Sequence, residues 1–64
     1  MKSEKYNLIV RLITRLEEEG HLYSEFRLKS EIGLIGYEID ENFEGPEKFE
    51  LDTMFTRVLN IVRP

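Results

Sequence analysis

Sixty-four residues carry 13 acidic against 9 basic side chains, a net charge of −4, and no cysteine. That excludes a disulfide staple and a thiolate metal site, and it argues against nonspecific binding to phosphate backbones, which needs clustered Lys and Arg. A 41% hydrophobic fraction supports one compact domain over residues 1–64, with a small core and a stability of only ~3–5 kcal/mol.

No segment is long and apolar enough to span a bilayer. Lys2 and Lys5 are followed by no continuous apolar run and no small-residue cleavage site, so a soluble, cytoplasmic chain is expected.

The first segment predicts a helix from Glu4 to Glu19. Leu8, Ile9, Leu12, Ile13 and Leu16 recur at helical spacing, with Tyr6 and Val10 on one flank. Ser3 suits the N-cap, Glu4 the first turn and Gly20 the end. The apolar arc spans about 200° at 100° per residue, about twice what one sheet needs. The excess implies a second covering surface, either another helix or a partner. Glu17, Glu18 and Glu19 close the helix at the negative end of its dipole. They are read as a solvated helix end or, functionally, as an acidic docking patch.

From Leu22 to Ile32 the chain alternates. Leu22, Phe26, Leu28 and Ile32 share one parity with Ser24 and Ser30; Tyr23, Glu25, Arg27, Lys29 and Glu31 share the other. That predicts a half-buried strand. Ser24-Glu25 also fits the start of a short helix, but the alternation is the cleaner pattern. With Gly33-Leu34 as a two-residue turn, the parity flips to Ile35, Tyr37 and Ile39, as a hairpin requires. Ile32 then faces Ile35, Leu28 faces Ile39, Lys29 meets Glu38 and Arg27 meets Asp40. One register thus matches apolar with apolar and plus with minus.

Asp40 to Pro46 reads as a loop with Phe43 tucked beneath it. Glu47 to Leu51 reads as a third strand, Phe49 and Leu51 inward. A last helix is expected over Thr53 to Arg63, capped by Asp52 and ended by Pro64. Leu51, Met54, Phe55, Val58, Leu59, Ile61 and Val62 fall within about 160° of arc. The expected fold class is α+β: an α-β-β-β-α chain whose three-stranded antiparallel meander has both helices packed on one face. The expected central core is Leu12, Leu16, Phe26, Leu28, Ile35, Tyr37, Phe49, Phe55, Val58 and Val62.

Chemistry is sparse. His21 is the single histidine, expected in an exposed turn, and Glu17, His21 and Glu25 straddle a break in structure rather than a metal-ligand spacing. No glycine-rich elbow surrounds a serine and no phosphate-loop spacing joins the glycines. Glu38, Asp40 and Glu50 would share an exposed sheet face with Arg27, Lys29 and Lys48, as a salt-bridge ladder rather than the desolvated carboxyl a general acid needs. No catalytic residue, cofactor or metal is expected, and the chain is read as not an enzyme.

The order helix, three antiparallel strands, helix is similar in topology to the double-stranded RNA-binding domain. The second helix, however, opens Asp52-Thr53-Met54-Phe55 with no lysine cluster, and the loop Asp40 to Pro46 holds no histidine or base. No binding residue of that family carries across, and topology alone says nothing about function.

The function expected from the sequence is a small non-catalytic protein-interaction module, a regulator or inhibitor. It would act through an unidentified protein partner and self-associate as a homodimer. The candidate interaction residues are Tyr6, Val10, Ile13, Glu17, Glu18, Glu19, Leu59 and Ile61, on the rims of the two expected helices. One alternative is an acidic nucleic-acid mimic using Glu17 to Glu19, Glu41, Glu44 and Glu47. Another is nucleic-acid binding by topology, through Arg11, Arg15, Arg57 and Arg63.

Overall fold

The computed structural model describes residues 3–62, with side chains described through residue 60. It contains three helices: α1 (Glu4–Glu19), α2 (Glu25–Asn42) and α3 (Gly45–Val62), with a 3-10 turn Gly20–Leu22 after α1. No strand occurs among the described residues. The expected three-stranded meander, and the α+β class with it, is therefore replaced by an all-helical arrangement.

α1 forms where the sequence places it. The Tyr6 N–H donates to Ser3 Oγ at 3.0 Å, capping the first turn, and Glu4 lies in that turn. At the other end Gly20 keeps a right-handed φ of −56° and opens the 3-10 turn. The chain then extends at Tyr23, and Ser24 caps α2 by accepting the Arg27 N–H at 3.1 Å. The helix-start reading of Ser24-Glu25 thus prevails, and the helix it opens is long.

Leu28, Ile32, Ile35 and Ile39 explain both the hairpin expectation and its failure. A two-residue turn at 33–34 pairs 28 with 39 and 32 with 35. The spacings 4, 3 and 4 also put these residues on one helical stripe. Ile35 and Ile39 are buried, with Leu28 and Ile32 packed against the core. The aromatics settle which pattern holds. Phe26 lies about 180° from Ile35 around a helix, and Tyr37 about 200°. Parity turned both inward; helical phase turns them out, and they are 81% and 62% exposed. The pairs Lys29–Glu38 and Arg27–Asp40 cannot form within the chain. Lys29 and Glu38 are nine residues apart on one helix, roughly 13 Å along its axis.

α2 ends at Asn42. Phe43 is extended, its N–H donating to the Ile39 carbonyl at 3.2 Å. Its ring is buried as expected, edge-on to Tyr6 at a 6.2 Å centroid distance. Gly45 adopts φ +67°, and Pro46 follows in the first turn of α3, where its missing N–H costs nothing. The expected loop thus shrinks to a short junction. The expected third strand becomes the first turns of α3, and Asp52, expected as a cap, lies in mid-helix. Phe49, about 200° from Leu51, faces out at 73% exposure.

The core is Tyr6, Ile9, Ile13 and Leu16 of α1, Ile35 and Ile39 of α2, Phe43, and Leu51 and Val58 of α3. Leu16, Ile35 and Val58 match expectation. Leu12, Leu28 and Phe55 are half-buried against the core. Phe26, Tyr37 and Phe49 do not belong to it, and the Val62 side chain lies outside the described residues, as do Arg63 and Pro64. α1's wide arc now has its explanation: it packs against both other helices.

Candidate functional site

Polar contacts between helices fix their directions. Tyr6 Oη donates to Glu50 Oε1 at 2.8 Å, and Arg57 Nε lies 3.4 Å from Glu17 Oε2, so α1 and α3 run parallel. Lys5 Nζ donates to Asn42 Oδ1 at 3.0 Å, which places the start of α1 beside the end of α2 and makes α2 antiparallel to both. The molecule is elongated, 34 × 16 × 16 Å.

At the α2–α3 junction, Lys48 Nζ sits 2.9 Å from Asp52 Oδ2 and 3.2 Å from Asp40 Oδ1. Hydrogen bonds to Asp52 and then to Asp40 hold its ammonium above the ordinary lysine range. Asp40, Glu41, Asn42, Phe43, Glu44 and Lys48 line an open recess there. Its carboxylates face solvent or a lysine, which is a structural ion-pair cluster rather than a desolvated acid–base pair. Among the described residues no three His, Asp or Glu side chains are grouped to hold a metal ion. His21 lies exposed in the 3-10 turn.

The expected interaction residues are not brought together. Tyr6 and Ile13 are buried in the core, and Val10 packs half-buried against it. These three were expected at an uncovered edge; α1 instead packs against both other helices, with Tyr6 meeting Phe43 and, on α3, Glu50. Leu59 is half-buried, and the Ile61 side chain lies outside the described residues. Glu18 and Glu19 are exposed, while Glu17 pairs with Arg57. These three acids lie at one end of the bundle and Glu41, Glu44 and Glu47 at the other, so the six make no continuous acidic surface.

The surface that does stand out is the outer face of α2. Phe26, Ser30, Gly33, Leu34 and Tyr37 fall within about 100° of arc, opposite the buried Ile35 and Ile39. Leu34 is 59% exposed, between the more exposed Phe26 and Tyr37. A Cβ built on Gly33 meets nothing within 4 Å, so the backbone itself is open to approach there. Arg27 and Glu38 flank one side of this stripe, Lys29 and Asp40 the other. The Arg27 guanidinium lies 4.1 Å over the Tyr23 ring. Lys29 has a loose pair with Glu25 at 3.7 Å, both side chains largely exposed.

The sequence did contain a signal for this face. Phe26 and Tyr37 are eleven residues apart, about three helical turns, hence on one stripe. Ser30 on the supposedly buried parity was a second sign, since an unpaired buried hydroxyl is costly.

No helix among the described residues is long and apolar enough to cross a membrane. In comparisons with known proteins, no family model, no curated protein and no solved structure matches this chain.

Proposed function

We propose that the protein is a non-catalytic protein-interaction module whose working surface is the outer face of α2. The observation that carries this is the exposure of Phe26, Leu34 and Tyr37 on one stripe of a helix whose opposite stripe is already spent on the core. Scattered surface hydrophobics are ordinary. Two aromatics and a leucine aligned over three turns, with charges on both flanks, form a patch of the kind that marks interaction sites. The chemistry that fits it is an amphipathic helix, apolar along its centre and charged along its edges.

Affinity capture from an extract of the host cell, with the wild-type chain and a Phe26→Ser/Tyr37→Ser variant as paired baits, tests this reading. Both substitutions fall on exposed positions, so circular dichroism should show equal helix content. Protein retained by the wild type should be lost from the variant. Equal retention by both, or by neither, overturns the reading.

A further inference from the structure

The charge pairs that imitate a hairpin do not form inside the folded chain, where Glu38 instead accepts from Asn42 Nδ2 at 2.7 Å and Arg27 lies over the Tyr23 ring. Lys29 cannot reach Glu38, and Arg27 cannot reach Asp40, because all four lie on one helix. Among the described residues, Lys29 has a loose exposed contact with Glu25. Asp40, its side chain 68% exposed, contacts Lys48 through Oδ1 at 3.2 Å. The same four charges find opposite partners, in a different pairing, when two copies of α2 lie antiparallel about a two-fold axis between residues 33 and 34.

We infer that the amphipathic helix that fits the outer face of α2 is α2 of a second copy of this chain, an inference that rests on the interaction-module reading above. Each flank of a helix meets the same flank of its mate in such a pair. Lys29 of one copy then faces Asp40 of the other on one side, and Arg27 faces Glu38 on the other side. Each pair occurs twice by symmetry. Along the centre, Leu34 packs onto the open backbone at Gly33, and Tyr37 lies over Ser30 toward Phe26. The small residues sit where the helices cross and the aromatics close both ends.

The area is consistent with a reversible dimer. A stable interface needs roughly 1,200 Å² in total, about 600 Å² per partner, or about one eighth of the 4809 Å² surface of the chain. The strip from Phe26 to Glu41 is about 24 Å long and about 10–12 Å across. That is a flat footprint of only about 240–290 Å², under half of the per-partner figure, so the pairing is weak and reversible and dimer is expected mainly toward the submillimolar end. Two-fold pairing is also the commonest closed symmetry.

Sedimentation equilibrium on the full chain, across micromolar to submillimolar concentration, reads the result as a shift from 7.7 kDa toward twice that mass. Phe26→Ser/Tyr37→Ser should weaken association at least about tenfold, a loss of ~1.4 kcal/mol. Lys29→Glu should weaken it, and Lys29→Glu combined with Asp40→Lys should restore it, because the swap re-forms the pair only between copies. A mass of 7.7 kDa throughout, or a charge swap that does not rescue, overturns the dimer. Failure of the broader reading is read separately, in the capture experiment, where the wild type and the serine variant would retain the same proteins.

Discussion

Three glycines in and beside α2 sit in different physical situations, and each has its own mutational outcome. Gly33 is in the helix interior with open space around it, so Gly33→Ala adds helix propensity and nothing for the methyl to strike. It should stabilise the monomer by ~0.5–1 kcal/mol, raising the melting temperature of a dilute sample by several degrees. Gly45 also has open space, but its φ of +67° is left-handed. Gly45→Ala should cost about 1–2 kcal/mol through the backbone alone. At Gly36 a Cβ would stand 3.4 Å from Phe55 Cε2, so the absent side chain lets the Phe55 ring of α3 lie against α2. Thermal melts of the Gly33 and Gly45 variants check the first two effects, which carry opposite signs although neither glycine touches a neighbour.

At the scale of the element, α2 turns on Tyr37 and Ile39. In a strand they share a face; in a helix they lie about 200° apart. Ile39 is fully buried and Tyr37 mostly exposed, so Ile39→Ala should cost ~2–5 kcal/mol. Tyr37→Ala should stay within about 0.5 kcal/mol for the monomer. Urea denaturation of the two variants in dilute solution measures the difference; equal losses would mean a shared face and contradict the helix. α1 was legible because its wide arc, its Ser3 cap and its length all agree. The phase of α3 was legible from Leu51 onward. Its first turns were not, because the alternation of Lys48 and Glu50 with Phe49 and Leu51 mimics a strand. α2 was misread because its stripe of Leu28, Ile32, Ile35 and Ile39 is symmetric about the point where a turn would fall. Local pattern alone cannot separate the two solutions. Tertiary packing does, since in the all-helical arrangement α1's wide arc packs against both other helices.

That packing also displaced the expected interaction surface. With Tyr6 and Ile13 buried, the aligned exposed apolar side chains are Phe26, Leu34 and Tyr37 on the back of α2, while Leu8 and Phe49 stand exposed on α1 and α3. At the scale of the whole molecule, the up-down-up arrangement gathers Glu38, Asp40, Glu41, Glu44 and Glu47 at one end. Arg15, Arg27, Lys29 and Arg57 lie toward the other, interspersed with Glu17, Glu18, Glu19 and Glu25. An antiparallel pair of copies sets the acidic half of each α2 against the half that carries Arg27 and Lys29. Such steering weakens as salt screens it, with a Debye length of about 8 Å at physiological ionic strength.

The chain has no cysteine, so one introduced thiol reports on one position. Gly33 lies beside the inferred two-fold axis, close to its own counterpart in the second copy. A disulfide needs Cβ atoms ~3.5–4.5 Å apart, a spacing that few residue pairs in a two-fold interface meet. Mild oxidation of Gly33→Cys should give a covalent dimer in high yield, while Glu18→Cys, exposed at the end of α1, should remain largely monomeric. Cross-linking at residue 33 no greater than at residue 18 would contradict the pairing of α2 with itself.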